Sequence, residues 1–534
     1  MQKSDTPPSV SFQLTFPSIR RQRDAITRQP LLMLSLLSLL GLGLRLYKLT
    51  YWNYWDDEII STFAARAAPM DVLFSIVDYS VHPPFYYFVL HFWMMLGDDL
   101  YMIRLLSVLI STACIPLTYV LGREIMHKPG ALVAAAIMTI APFQIFHGQQ
   151  ARMYPLLTLL VLATAYFFLR TWRHGTWTNW VGLGLCVVCG LYTHVYFSFS
   201  LLGLNLWALY EMYHQRRLDY RRWVDILIIQ SLAVLTFLPF VPQLFRTVSG
   251  VVQWYWIGGT TAFDWLFALL SISNYATLAQ ESSRPVWYLA ATYTAGVAVV
   301  VLTLVYSLRE MRQQPVERSG WGFLHLLLWT PIVVATVISL TIKPILLDRS
   351  LIGVSAPLYL LMGWLFVRYW QVRVVQFVAL FFGVSCLASL GYAYPDTPRE
   401  NSLIRMADYL AAEQQADDAI AFADWQAFDT TFLIHPDLEN VYVLAAPTVS
   451  RVQFAGRDEW LARLSYMNWP YLENVQPVAK FGPHHPRVWL VLTNHTYTIE
   501  YQREVNQAWL ETHGRLVEEK DFNRARVFLY EIEP

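Results

Sequence analysis

Apolar runs of about 17–23 residues recur between residues 31 and 392, and they constrain this chain more than any other feature. An α-helix rises about 1.5 Å per residue, so a run of that length crosses roughly 30 Å of hydrocarbon. Lipid offers the backbone no hydrogen-bond partner, which leaves the helix as the form each run must take. Eleven spans are expected, near 31–49, 101–121, 129–147, 153–169, 177–193, 195–212, 223–245, 286–308, 321–342, 350–367 and 374–392. Charged residues make up 15% of the chain, where an ordinary soluble domain carries about 25%. Lys+Arg and Asp+Glu are both 39, a balance that argues against a nucleic-acid partner.

The stretch 82–97 is apolar too, but it is short, opens on Pro83-Pro84 and carries His91 in its middle. It is expected to be interfacial or re-entrant. Charge placement supports that choice. With the N-terminus in the cytoplasm, the inner segments hold Arg20, Arg21, Arg23, Arg28, Arg123, Lys128, Arg170, Arg173 and the Arg216–Arg222 cluster. They carry about twice the Lys and Arg of the outer loops, as the positive-inside rule requires. Were 82–97 a span, every later loop would change sides and the Arg216–Arg222 cluster would face outward. Loop 50–100, the Gln149–Arg152 turn, the His194 turn, loop 246–285, loop 343–349 and the tail after 393 are therefore expected on one outer face.

About thirty polar residues precede the first run and no small-residue cleavage site follows it, so the run is expected to persist as an anchor. Residues 1–29 read as a disordered cytoplasmic tail, 30–392 as the membrane domain, and 393–534 as a small α/β domain. In that last part strand-like runs stand at Ala419–Ala423, Val441–Ala445, Val488–Thr493 and Val527–Tyr530. Helix-like stretches lie near 401–414, 456–466 and 500–514. Asn494-His495-Thr496 is formally a glycosylation acceptor and is read as a chance occurrence. Cys114, Cys186, Cys189 and Cys386 all fall in apolar runs and read as small buried residues; no disulfide framework is expected.

Chemistry concentrates in the first outer loop, where Asp56-Asp57-Glu58 follow the aromatic residues Tyr51, Trp52, Tyr54 and Trp55. Like charges so close disfavour simultaneous ionisation, and a carboxylate so placed can serve as a general base toward a hydroxyl. The alternative is a solvated acidic cap. The aromatic residues suit the interfacial belt as well as a sugar face. Arg152, Arg349 and Lys343 stand at outer span ends, where the positive-inside rule disfavours them; an arginine fork matches phosphate oxygens. Snorkelling to ordinary headgroups is the competing account. His82, Tyr154, Tyr192 and His194 gather at outer ends. No His/Cys/Asp set has metal-ligand spacing, though the three acids leave a divalent cation open. No phosphate-cradling glycine loop occurs, and no Asp or Glu stands mid-span, which lowers the expectation of an ion-coupled transporter.

Taken in order, Asp57-Glu58, His82-Pro83-Pro84-Phe85-Tyr86-Tyr87, Arg104-Leu105-Leu106-Ser107, Gly122-Arg123-Glu124, Gln149-Gln150-Ala151-Arg152-Met153-Tyr154 and Tyr192-Thr193-His194 carry a resemblance. Over roughly residues 30–370 the chain resembles the GT-C membrane glycosyltransferases, in the branch of the protein O-mannosyltransferases and aminoarabinose transferases (glycosyltransferase family 39-like). The resemblance implies a polyprenyl-phosphate sugar donor, an acceptor hydroxyl of a lipid, glycan or protein, and chemistry on the extracytoplasmic side. It implies Asp57 as the catalytic carboxylate, with Glu58 and Asp56 in support. It implies Arg152, Arg349 and Lys343 at the donor phosphate, and His82, Tyr86, Tyr154 and His194 at the substrates. Many relatives read Gln-Glu-Ala-Arg where this chain reads Gln149-Gln150-Ala151-Arg152, so the acid–base work falls on the first loop. A transporter or flippase of lipid-linked sugars is the second class of function.

Overall fold

A helix stands at each expected span, but the helices differ in reach. The computed structural model describes residues 29–66, 82–215, 220–242, 261, 263–274, 285–313, 318–393, 402–444, 475–493 and 500–533. The N-terminal tail, Arg216 and Arg217, most of loop 246–285, the helix expected at 456–466 and Asn494-His495-Thr496 lie outside them. Among the described residues seven helices are long and apolar enough to cross a membrane, and a bent pair supplies an eighth. Pro30–Leu46 and Trp177–Leu191 are shorter apolar helices. Phe197–Gln215 has the length, but Asn205 and Glu211 interrupt its apolar character. The chain is thus a polytopic helical membrane protein, and eleven full crossings are not established by length alone. The 82–97 stretch forms only the helix Phe85–Met94, 10 residues, about half a bilayer in reach.

The helix Ser355–Arg368 lies at the centre, buried along nearly its whole length. It approaches Lys128–Ile140 so closely that a Cβ on Gly363 would stand 2.6 Å from the Ala134 amide nitrogen and the Gly130 carbonyl oxygen. Gly130 and Ala134, four apart, present the small-residue stripe that lets two backbones touch in a membrane.

The span expected at 129–147 is broken. Lys128–Ile140 and Pro142–Gly148 meet at 54°. Pro142 has no N–H to donate and forces Ala141 out of helical geometry, to φ −60° and ψ 115°. Carbonyls near the break need other donors, and Arg45 supplies them. It is fully buried, donating from Nη2 to the Met138 carbonyl at 3.1 Å and from Nη1 to those of Thr139 at 3.2 Å and Gly41 at 3.0 Å. Its Nε bonds Ser111 Oγ at 2.8 Å. A charged side chain in a span is tolerated only with such partners. Arg45→Met is expected to destabilise the protein by about 3 kcal/mol, since it strands several buried carbonyls; thermal unfolding in detergent micelles checks it.

The tail forms an α/β domain around a six-stranded sheet in the order β3-β2-β1-β4-β6-β5. The strands are β1 (Ala419–Phe422), β2 (Val441–Leu444), β3 (Val475–Gln476), β4 (Arg487–Thr493), β5 (Gly514–Asp521) and β6 (Ala525–Ile532). β3, β2, β1 and β4 run parallel, and β6 and β5 are antiparallel additions. Alternation sends Ile420 and Phe422 to one core with Leu403 and Met406, and Ala419 and Ala421 to another with Phe481 and Leu510. The sequence reading missed β3, β5 and the helix Trp425–Ile434. β3 has two residues, and β5 is an exposed, charged edge strand with no apolar run. The four cysteines are free.

This domain docks on the first loop. Asn53 Nδ2 donates to Ser402 Oγ at 3.1 Å while its Oδ1 accepts the Leu403 N–H at 3.2 Å. Gln426 Nε2 donates to the Tyr54 carbonyl at 2.9 Å, and the rings of Phe63 and Phe432 stack 5.7 Å apart. The tail domain and the first loop therefore share one face of the molecule.

Candidate active site

The three acids of the first loop do not lie in a loop. They open the helix Asp56–Arg66, where carboxylates offset the positive end of the helix dipole. About 100° of rotation per residue then separates neighbouring side chains, and Asp57 and Glu58 meet different surroundings. The side chain of Asp56 lies outside the described residues.

Glu58 is buried, with 1% of its surface exposed, and both its oxygens are occupied. Arg104 grips it bidentately, Nε to Oε1 at 2.9 Å and Nη2 to Oε2 at 2.6 Å. The Ala151 N–H adds a bond to Oε1 at 2.7 Å, and the Trp55 N–H one to Oε2 at 3.1 Å. The last contact is the return half of a capping box. Arg104 also donates to the carbonyls of Leu49, Trp52 and Asn53 at 2.9–3.0 Å. Glu58 and Arg104 thus pin the first loop to the helix Leu100–Ile125 and to the Gln149–Arg152 turn. Tyr86 is fully buried as well. Its hydroxyl pairs with Ser107 Oγ at 3.0 Å, and Ser107 reaches the Arg152 carbonyl at 3.3 Å.

Asp57 points elsewhere and keeps 29% of its side chain exposed. Its Oδ2 lies 3.7 Å from Arg152 Nη2 and 3.8 Å from Arg349 Nη2. Arg152 is held from behind, Nη1 donating to the Asp57 carbonyl at 2.8 Å and to Ser61 Oγ at 3.0 Å. Burial opposes its charge, but Asp57, Tyr87 and Tyr154 together outweigh that, so its pKa is raised. Arg349 lies over the Trp55 ring, 4.9 Å from the centroid, a cation–π contact. Its backbone N–H is capped by Asp348 Oδ1 at 2.7 Å, and Asp348 is held by Ser271. A partly open carboxylate thus sits between two guanidinium groups fixed by separate elements.

Around them stand Tyr154, His194 and His82. The Tyr154 ring lies 5.8 Å from the Arg152 guanidinium and 6.4 Å from the His194 ring, and the His82 ring is 4.8 Å from His194. His82 is held well below the ordinary histidine value, by burial first and then by His194, Arg152 and Arg349. Next to Arg349 lies a small recess lined mostly by apolar side chains, among them Leu157, Tyr196, Pro331 and Leu351, with Ser200 and Ser350. Among the described residues no three His, Cys, Asp or Glu side chains converge as a cation site.

Asp57, Arg152, Arg349, Tyr154, His194 and His82 therefore come together. Lys343 does not join the Asp57 ion pairs; it follows the helix Arg318–Thr341, its N–H on the Ile338 carbonyl. Sequence reasoning gave no role to Arg104 or Ser61, and read Trp55 as a belt or sugar-facing ring, not as a partner of Arg349. Reading 56–66 as a helix would have put Ser61, four residues on, over Asp57.

Residues 81–245 match the family model described as dolichyl-phosphate-mannose-protein mannosyltransferase. No curated protein matches the chain in sequence. In fold the chain is similar to ArnT from Cupriavidus metallidurans in its apo state, with TM-score 0.61 and 12% identity over 95% of this chain and 98% of that one. It is similar to the same protein bound to undecaprenyl phosphate, with TM-score 0.59 and 13% identity over 93% and 97%. The apo oligosaccharyltransferase of Archaeoglobus fulgidus follows, with TM-score 0.50 and 10% identity over 87% of this chain and 69% of that one. The fold is that of the GT-C membrane glycosyltransferases, with a small C-terminal sheet domain.

Proposed function

We propose that the chain is a membrane glycosyltransferase that moves a sugar from a polyprenyl-phosphate-linked donor to an acceptor hydroxyl on the extracytoplasmic face. The observation that carries the reading is Asp57, partly open and flanked by Arg152 and Arg349 at 3.7 and 3.8 Å. The matched family description, the ArnT-like fold and the undecaprenyl phosphate bound by that neighbour support the same chemistry. The side of the membrane rests on the excess of Lys and Arg in the opposite loops.

The reaction is an inverting displacement. Asp57 accepts the proton of the acceptor hydroxyl while that oxygen bonds the anomeric carbon. The bond from that carbon to the phosphate oxygen breaks, its electron pair stays with the oxygen, and polyprenyl phosphate departs. Polyprenyl phosphate, a phosphate monoester, leaves readily from such a diester, so the protein mainly orients the reactants and stabilises charge. Arg152 and Arg349 serve the phosphate; Glu58 and Arg104 hold the loop. Residues 393–534 form the extracytoplasmic domain that braces the first loop through Asn53 and Tyr54.

The test is release of polyprenyl phosphate and labelled sugar product by the purified protein in lipid nanodiscs. A flippase would bind the donor and release neither. Arg349→Ala is expected to weaken donor binding about 10- to 100-fold, the worth of one hydrogen bond to a charged group. Unchanged donor affinity in a binding titration would remove Arg349 from the phosphate site.

A further inference from the structure

His194 stands beside the Asp57 cluster, and the reaction above assigns it no step. Its Nδ1 accepts the Tyr196 backbone N–H at 3.1 Å. In a neutral imidazole the proton then sits on Nε2, which becomes a donor. The ring is 2% exposed, and among the described residues Nε2 meets no hydrogen-bond partner. Arg152 Nε, on a side chain 3% exposed, is in the same condition. Buried donors are almost always satisfied, so two open ones in one cluster call for an explanation. They flank Tyr154, whose ring is 6.4 Å from the His194 ring and 5.8 Å from the Arg152 guanidinium.

The groups around the ring decide its charge. His82 faces it from the first loop, Arg152 and Tyr154 from the 149–154 turn, Tyr196 from the following turn, and Arg349 from the start of the central helix, with Asp57 beyond the arginines. Burial first, then Arg152 and Arg349, hold His194 down to about 3. The imidazole is therefore neutral throughout pH 5–8, and it offers an anion a hydrogen bond without a charge.

We infer that His194 is a neutral hydrogen-bond donor to the phosphodiester of the lipid-linked sugar, acting through Nε2–H beside the Nε of Arg152. The inference rests on the glycosyl-transfer reading and names a further residue of its donor site. Such a donor leaves affinity independent of pH where an imidazolium would not. It also suits a diester, whose single charge does not titrate between pH 5 and 8.

The experiment measures equilibrium binding of a polyprenyl-phosphate sugar, and its turnover, with the full chain in nanodiscs. Wild type, His194→Asn and His194→Gln are compared between pH 5.5 and 8. The Asn carboxamide oxygen occupies the place of Nδ1 and keeps the Tyr196 N–H, but its amide cannot reach the position of Nε2. The Gln amide nitrogen can. Donor affinity is expected to fall 10- to 100-fold in His194→Asn with thermal stability retained, and to return to within threefold of wild type in His194→Gln. Wild-type affinity is expected to be flat with pH, an arm that needs no variant. Wild-type donor affinity in His194→Asn, or a wild-type affinity that drops as pH rises through 6–7 and loses that drop in His194→Gln, overturns the inference. A wild-type protein that neither binds nor turns over any such donor overturns the functional reading, and this inference with it.

Discussion

Asp57→Asn is expected to lower sugar transfer by about 100- to 10,000-fold, the range supplied by a positioned general base. The amide keeps the size of the carboxylate but cannot accept the acceptor's proton. The fold should survive, because Asp57 holds the neighbouring elements more closely through its backbone carbonyl than through its partly exposed side chain. Arg152 Nη1 bonds that carbonyl at 2.8 Å, whereas the side-chain oxygen is 3.7 Å or more from both guanidinium groups. Donor affinity should hold or improve, since the variant leaves both arginines to the phosphate. Transfer from a radiolabelled polyprenyl-phosphate sugar, alongside donor binding and thermal unfolding, separates these outcomes. Near-normal turnover would take Asp57 out of the mechanism.

Glu58→Gln is expected to act on stability as well as on activity, and by a different route. The Glu58–Arg104 pair is 1% and 3% exposed at its side chains. Breaking one partner of such a pair leaves an uncompensated buried charge, at about 3–5 kcal/mol. Replacing both residues with leucine should not restore stability, although buried ion pairs often tolerate such exchange. Arg104 also satisfies three loop carbonyls, which leucine would abandon. The thermal unfolding midpoint in detergent should therefore fall for Glu58→Gln and stay low in the double variant. Transfer activity should fall with it, since the loop that carries Asp57 loses its anchor. A double variant as stable as wild type would show that the carbonyl contacts contribute little.

The two adjacent acids illustrate how far a sequence reads on its own. Asp57 and Glu58 are indistinguishable in spacing and hydropathy, and only the family resemblance singled out Asp57 as catalytic with Glu58 in support. Their separation depends on a helix that begins at Asp56, and on an arginine 46 positions away reaching Glu58 first. The Gln149–Arg152 stretch was legible as a turn between two apolar runs. The break at Pro142 that aims it was not separated from the surrounding apolar run, because apolar periodicity runs straight through it. Arg45, at the end of the first apolar run, proves to be a buried donor for two carbonyls of another helix, Lys128–Ile140. The edge strand β5 was missed because an exposed, charged strand carries no apolar alternation to betray it.

The sequence by itself determined the membrane class, the position of each apolar helix, the shortness of the helix in 82–97 and the α/β nature of the tail. These follow from the length and polarity of local runs, and a bilayer or a sheet core reads those directly. Only the tertiary structure decided which carboxylate is free, which is buried as a strut, and which arginines converge on the free one. Those assignments depend on contacts between residues far apart in the chain, and hydropathy holds no record of them.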